Sequence, residues 1–173
     1  MDDEQWEKIR AARGPWAGLK SNNTNEWVPW VKKLDIELGA WLHGDEILYA
    51  EFGTTRKGED SHQGGAFEAD GLWALVLSSR FVARIRVRKR SSTEKADDVN
   101  LTVVPRSAIQ TLSLEAVETS TSQGMPIVTR AHFEGLDEVV QIPANAQRWF
   151  LVKPEDRLSI FAGLRDDLHA QRS

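Results

Sequence analysis

Arginine residues recur at alternate positions over residues 80–90, and they form the most distinct charge pattern of the chain. Successive side chains of an extended strand point to opposite faces, so the pattern predicts a strand with apolar residues on one face and arginines on the other. The five arginines of that face are Arg80, Arg84, Arg86, Arg88 and Arg90. Guanidinium groups bind phosphate and carboxylate oxygens with two parallel hydrogen bonds, so this face could bind an anionic headgroup or partner.

A structural role explains the same arginine pattern, and we favour it from the sequence. The arginines of an exposed strand face pair with acidic residues of neighbouring strands, for which Glu115 and Glu118 are candidates. On this interpretation the face supplies charge and solubility more than it supplies a site. Reversal of both Arg84 and Arg86 to glutamate would then leave the fold intact.

The long loop over residues 53–71 offers two further basic residues, Arg56 and Lys57, which Glu59 and Asp60 follow closely. These acidic neighbours offset the positive charge of the loop. The sequence-based candidates for contact with an anion, a lipid or a protein partner are Arg56, Lys57, Arg84, Arg86 and Arg88.

Composition argues against several other functions. The net charge of −4 does not favour bulk nucleic-acid binding, and no aromatic residues alternate with the arginines on their face, as base stacking requires. We therefore expect no nucleic-acid partner. The acidic residues 1–4 are unlike a signal peptide and no apolar run is long enough to span a membrane, so we expect a cytoplasmic protein.

The residue types needed for catalysis are absent or scattered. The chain has no Cys, which excludes thiolate metal sites and cysteine nucleophiles. Its four His have no ligand-like spacing, and neither a nucleophile elbow nor a phosphate loop occurs. The carboxylate pairs Asp97–Asp98 and Asp166–Asp167 are interpreted as solvated charge. The sequence thus predicts a non-enzymatic protein with no catalytic residue, no cofactor and no metal site.

Tryptophan is the unusual component, with seven residues against a single Tyr. Apolar residues spaced by three and four predict an amphipathic helix over residues 26–42. This apolar stripe consists of Trp27, Trp30, Val31, Leu34, Leu38, Trp41 and Leu42.

Because the stripe is too apolar to face water, we expect it to lie across the outer face of a sheet near Trp73. The alternative is that it docks onto a second copy of the chain, as a homodimer. The candidate hydrophobic docking residues are Trp27, Trp30, Trp41 and Trp73.

The rest of the chain is predicted to form short strands followed by one helix. Alternating or apolar runs predict about seven antiparallel strands within residues 46–152. These predicted strands include residues 136–142 and 148–152. A helix is predicted from Pro154 to about Ala170, with Leu158, Phe161, Leu164 and Leu168 facing the sheet.

Three segments carry a resemblance to a known family. They are residues 45–48 (DEIL), 71–81 (GLWALVLSSRF) and 104–112 (VPRSAIQTL). Their wording resembles the "GE.IL … G..ALVLT..RL … IPL..I..V" run of bacterial PH-like and GRAM-like domains, over residues 44 to about 170. The resemblance implies a mainly β fold with α, the pleckstrin-homology superfold. This is a sandwich or partly open barrel of about seven antiparallel strands, capped by a C-terminal helix.

The resemblance also implies a domain division and a function. Residues 44–173 would form the PH-like domain, and residues 1–43 a Trp-rich helical extension. The expected function is a non-enzymatic binding or scaffolding module for a protein partner. The alternative is a peripheral membrane adaptor that binds anionic lipid headgroups through Arg56, Lys57 and the strand over residues 80–90. Phosphoinositide-binding members of the family usually draw their basic residues from the first two strands and the intervening loop, and here the second strand has none.

Overall fold

The computed structural model describes residues 2–20, 25–55, 71–87, 96, 98–116, 127–145 and 152–172. The chain divides into two compact units, Met1–Val103 and Val104–Ser173. The first unit combines the N-terminal residues with the first strands. The predicted division into residues 1–43 and 44–173 stays a prediction.

The first unit contains helices followed by a sheet. Its elements are α1 (Asp3–Ala12), a 3-10 helix (Gly14–Leu19), α2 (Pro29–Trp41), β1 (Ile47–Thr55), β2 (Gly71–Ser78), β3 (Phe81–Val87) and β4 (Val99–Pro105), whose last two residues belong to the second unit. The strands form one sheet in the order β1-β2-β3-β4. β2 pairs antiparallel with both β1 and β3.

The second unit contains a smaller sheet and the last helix. Its elements are a 3-10 turn (Arg106–Ala108), β5 (Ile109–Ala116), β6 (Ile127–Phe133), β7 (Val140–Ile142) and α3 (Pro154–Arg172). The sheet has the order β5-β6-β7, with antiparallel pairs.

The described residues therefore form seven strands in two sheets, which do not close into a barrel, with helices near both ends of the chain. This confirms the predicted mainly β fold of about seven antiparallel strands with N-terminal and C-terminal helices. The strand predicted over residues 136–142 is confined to Val140–Ile142, because a turn at Gly135 (φ +87°) and a bend precede it. The strand predicted over residues 148–152 lies outside the described residues, except for Val152, which is in a bend.

The helix predicted from the tryptophan spacing is confirmed as α2. Pro29 occupies the first turn, where the missing N–H costs no hydrogen bond. Val31, Leu34 and Leu38 are buried along the helix. They share one core with residues of α1, the 3-10 helix and the sheet, so the chain itself covers this part of the apolar stripe.

The side of the sheet that this stripe covers differs from the prediction. The shared core contains Leu72, Ala74 and Val76 of β2, whereas Trp73 lies on the opposite face. The register explains the difference. Leu72, Ala74 and Val76 pair with the apolar residues Val87, Ile85 and Ala83 of β3, whereas Trp73 is paired with Arg86. An apolar helix face is more stable on the uncharged side of the sheet, because charged groups there would lose hydration.

The N-terminal residues also cover the free edge of the sheet at β1. The backbone N–H of Ile47 donates to Gln5 Oε1 at 2.7 Å, and Lys8 Nζ donates to the Ile47 carbonyl at 3.0 Å. Further along the strand, Trp16 Nε1 donates to the Gly53 carbonyl at 3.0 Å. Side chains of the helical segments thus satisfy backbone groups that an edge strand would otherwise present to another chain.

The core face of α3 differs partly from the predicted one. Ile160 and Leu164 are buried, and Phe161 and Leu168 are half-buried, whereas Leu158 is 66% exposed. The buried residues follow one line of the helix, and Leu158 lies roughly a third of a turn away from that line. Leu158 was therefore wrongly predicted to face the sheet.

An ion pair between buried Arg106 and half-buried Asp167 fixes α3 to the turn before β5. Arg106 is 8% exposed, and its Nε and Nη2 lie 2.8 and 2.7 Å from Asp167 Oδ2. A Cβ at Gly163 would lie 2.9 Å from Arg106 Nη2, so the absence of a side chain there makes room for the guanidinium group. Asp167 is thus a structural ion-pair partner, which corrects its interpretation as solvated charge.

Candidate binding surfaces

The structure places two of the five predicted basic contact residues, Arg84 and Arg86, on β3. Arg56, Lys57 and Arg88 lie outside the described residues. Arg84 and Arg86 face away from the core shared with the N-terminal helices. Both side chains are half-buried, which corrects the expectation of an exposed face at these two positions.

The strand register determines which residues of β1 and β2 lie beside these two arginines. Arg84 is paired with Leu75, which is paired with Glu51 on β1. Arg86 is paired with Trp73 in the next row. We call Glu51, Trp73, Arg84 and Arg86 the arginine–tryptophan patch.

The position of the Trp73 ring depends on Gly53. A Cβ at Gly53 would lie 2.3 Å from two carbon atoms of the indole, so the ring lies directly over the backbone of β1. The Cζ atom of Arg84 lies 5.4 Å from the ring centroid of Trp73, within the range of a cation–π interaction. The absence of a side chain at Gly53 thus makes room for the indole, which in turn lies beside the Arg84 guanidinium group.

The patch has an unusual electrostatic environment. Burial lowers the pKa of Arg84, and the neighbouring charge of Arg86 lowers it further, while Glu51 and Tyr49 act in the opposite direction. Glu51 accepts a hydrogen bond from the Tyr49 hydroxyl group. Among the residues that the structure describes on this face, the guanidinium groups of Arg84 and Arg86 are thus partly dehydrated and lie near the carboxylate of Glu51.

Of the two acidic partners predicted for the arginine face, the structure describes one, Glu115, and pairs it with another arginine. Glu115 pairs with Arg130 on β6 at 3.2 Å, because the register of β5 and β6 brings these two side chains to the same face. Glu118 lies outside the described residues.

Trp27 and Trp30, both predicted docking residues, pack within the first unit. Both are half-buried against its core. The Trp30 ring centroid lies 6.0 Å from that of Trp16, and the Trp27 ring lies beside Arg13 and Lys20, whose charged atoms are 5.5 and 5.1 Å from its centroid. These contacts give the two indoles a structural role.

Trp41 is the predicted docking residue that the structure exposes most, at 53%. Its ring meets Phe81 edge-on, with centroids 6.0 Å apart and an interplanar angle of 69°. Arg80 completes the group, with its Cζ atom 5.5 Å from the Phe81 centroid. We call Trp41, Arg80 and Phe81 the Trp41 cluster.

A buried carboxylate holds Arg80 in the Trp41 cluster. The side chain of Asp45 is fully buried; it accepts a hydrogen bond from Arg80 Nε and another from the Ser78 hydroxyl at 2.7 Å. Arg80 Nη2 donates to the carbonyl of His43 at 3.2 Å. Sequence reasoning assigned Arg80 to the arginine stripe and did not predict its contact with Asp45, which follows Gly44 (φ +77°) in the turn after α2.

Both the arginine–tryptophan patch and the Trp41 cluster combine an aromatic ring with a guanidinium group close to it. Within the part of the chain that the structure describes, no three His, Asp or Glu side chains are grouped to hold a metal ion. None of the described helices is both long enough and apolar enough to cross a lipid bilayer.

Comparison of the chain with protein-family models, with curated proteins and with solved structures gives no match in any of the three.

Proposed function

We propose that this chain is a non-enzymatic, cytoplasmic PH-like module that binds or scaffolds a protein partner through the Trp41 cluster. The observation that carries the proposal is the state of Trp41, which is 53% exposed and yet held edge-on against Phe81. A large apolar ring at the surface contributes most of its hydrophobic free energy only when a partner covers it.

The composition of the Trp41 cluster fits a protein interface. Tryptophan and arginine are enriched among the residues that contribute most to protein–protein affinity. The contacts of Arg80 with Asp45 and of Trp41 with Phe81 order both side chains before binding, so less rotamer entropy is lost when a partner docks.

The membrane-adaptor alternative has less support from the described residues. Headgroup binding by arginine requires accessible positive charge, but Arg84 and Arg86 are half-buried and share their face with Glu51. Arg80 is exposed, but its charge is matched by Asp45. A protein partner is therefore the better-supported ligand.

The test compares two substitutions on the same helix. Ile36 on α2 is 75% exposed and serves as the matched control for Trp41. Wild type, Trp41→Ala and Ile36→Ala are immobilised and exposed to lysate of the source cells, and bound proteins are identified by mass spectrometry. We expect at least one protein to be retained by wild type and Ile36→Ala and lost with Trp41→Ala. With that protein purified, calorimetry should show at least about tenfold weaker binding to Trp41→Ala, the range of an interface hot spot.

The opposite result is also defined. If no retained protein depends on Trp41, the proposal fails. Flotation with phosphatidylserine-containing vesicles then tests the adaptor alternative, since headgroup binding must weaken as salt increases.

A further inference from the structure

Strand β5 is an outer strand of the second sheet. The sheet has the order β5-β6-β7, and among the described residues β5 pairs with β6 alone. Most side chains of β5 are exposed, on both faces of the strand; the exposed ones are Gln110, Thr111, Ser113, Leu114 and Ala116. An outer strand presents backbone N–H and C=O groups along its free side, with which a further strand can pair.

Two other outer strands are protected against such pairing. Side chains of the N-terminal helical segments bind backbone groups of β1, and β7 has three residues and is followed by Pro143. β5 has eight residues with no Pro, Lys or Arg, and its one ionisable side chain is Glu115, near the end of the strand. Since short length, proline and charge are the usual means of protecting an edge, β5 is the less protected strand.

The apolar face of the second sheet loses its cover at β5. Residues opposite each other on paired strands share a face, so Ile142, Thr129 and Leu114 form one row across the sheet. Their exposed fractions are 2%, 4% and 49%. On the same face Ile127, opposite Ala116, is 56% exposed, so the uncovered area extends to the start of β6. A strand added beside β5 would continue this face.

The side chains of β5 match those of a second, antiparallel copy of β5. In a two-fold pair of strands one residue lies opposite its own copy, and opposite residues share a face. With Ser113 at the axis, Leu112 lies opposite Leu114 of the second copy. Glu115 then lies opposite Thr111. Each exposed leucine gains an apolar neighbour, and no like charges are opposite each other.

Other two-fold registers fit less well. With Leu112 at the axis, Leu114 lies opposite the polar Gln110. With Leu114 at the axis, the pairing shortens to residues 112–116, compared with residues 110–116 about Ser113. The register about Ser113 combines a long pairing with matched leucines.

We propose that two copies of this chain pair antiparallel through β5, about a two-fold axis at Ser113, and so join their smaller sheets into one continuous sheet. The inference goes beyond the proposed function, because it assigns a homodimer contact to β5 and not to the tryptophans of α2. It does not involve the Trp41 cluster, of which the dimer would carry two copies.

Sedimentation equilibrium of the chain tests the contact at concentrations between about 1 and 100 µM. Leu158 on α3 is 66% exposed, so Leu158→Lys is the matched control for Leu114→Lys. We expect wild type and Leu158→Lys to form dimers with the same dissociation constant. Leu114→Lys should dimerise at least about tenfold more weakly, because a charged group then lies opposite Leu112 of the second copy. Unchanged circular dichroism shows that both variants are folded.

Crosslinking through single cysteines tests the register. The chain has no Cys, so each substitution introduces one thiol per copy. Ser113→Cys places two thiols opposite each other, with Cβ atoms about 4.5–5.5 Å apart, whereas Thr111→Cys separates them by roughly 14 Å along the strands. A bis-maleimide with a two-carbon spacer should therefore crosslink Ser113→Cys at least about tenfold faster than Thr111→Cys.

Four results would overturn the inference. The first is a wild type that is monomeric at every concentration, and the second is equal dimerisation of Leu114→Lys and Leu158→Lys, which places the contact elsewhere. Equal crosslinking of Ser113→Cys and Thr111→Cys excludes the register. A monomeric wild type that retains a lysate protein lost with Leu114→Lys assigns β5 to a strand of a different protein.

Trp41→Ala should dimerise like wild type, and Leu114→Lys should retain the partner that depends on Trp41. Failure of this inference and failure of the proposed function are therefore distinguishable.

Discussion

The guanidinium group of Arg13 forms a bidentate ion pair with the carboxylate of Asp35. Arg13 Nη1 donates to Asp35 Oδ2 at 2.9 Å and Nη2 donates to Oδ1, and Arg13 is only 2% exposed. The Arg13 Cζ atom also lies 5.5 Å from the Trp27 ring centroid and 5.2 Å from that of Phe52. One side chain thus connects the end of α1, the middle of α2 and strand β1.

Asp35→Asn should strongly destabilise the protein, because it leaves the Arg13 charge buried without its counter-ion. We expect a loss of about 3 kcal/mol in the free energy of unfolding, measured by urea denaturation. Glu37→Gln on the same helix removes an exposed ion pair with Lys33 and should cost less than about 1 kcal/mol. Equal effects of the two substitutions would contradict a structural role for the Arg13–Asp35 pair.

Gly53→Ala should displace the Trp73 ring, because the new methyl group would lie 2.3 Å from its atoms. Overpacking of this kind costs about 1–3 kcal/mol of unfolding free energy, and the indole resonance of Trp73 should shift. At Gly14 a Cβ would meet nothing within 4 Å, so Gly14→Ala should change stability by less than about 1 kcal/mol. An unmoved Trp73 signal in Gly53→Ala would show that the ring does not lie over β1.

Asp167→Asn should destabilise the second unit, because Arg106 loses the charge of its partner while remaining largely buried. We expect a loss of about 2 kcal/mol in the free energy of unfolding. Urea denaturation monitored by circular dichroism measures this loss. The adjacent Asp166 is exposed and pairs with the exposed Arg165, so Asp166→Asn should have an effect near zero. Equal losses of unfolding free energy in Asp167→Asn and Asp166→Asn would contradict a structural role for the Arg106–Asp167 ion pair.

Leu164→Ala should lower the free energy of unfolding by about 2–5 kcal/mol, because Leu164 is fully buried on the inner side of α3. Leu158→Ala on the exposed side of the same helix should change stability by less than about 0.5 kcal/mol. Phe161→Ala should fall between them, since the ring is half-buried. Thermal or urea unfolding ranks the three variants by stability. A large loss of unfolding free energy in Leu158→Ala would contradict the assignment of Leu158 to the exposed face of α3.

Local periodicity was sufficient to predict α2, because its apolar spacing and Pro29 depend on neighbouring residues alone. The side of the sheet that α2 covers depends on strand register, which pairs Trp73 with Arg86 across β3. That pairing is set by tertiary packing and cannot be read from either strand separately.

Local sequence patterns also could not predict which tryptophans lie at the candidate surfaces. Trp30 and Trp41 belong to one apolar stripe of the sequence, but Trp30 lies beside Trp16 while Trp41 lies over Phe81 at the surface. The sequence identifies both as large apolar residues. Which of them is covered depends on where the 3-10 helix and β3 lie, and periodicity carries no information on that.

The covering of β1 by Gln5, Lys8 and Trp16 has a consequence for the synthesis of the chain. The partners of this N-terminal segment lie later in the sequence, and the shared core extends to Val87 on β3. Isolated helices of the length of α1 and α2, 10 and 13 residues, are marginal in water. On the ribosome, this segment is therefore translated before its partners, and its tryptophans cannot be buried in the shared core until β3 has left the exit tunnel.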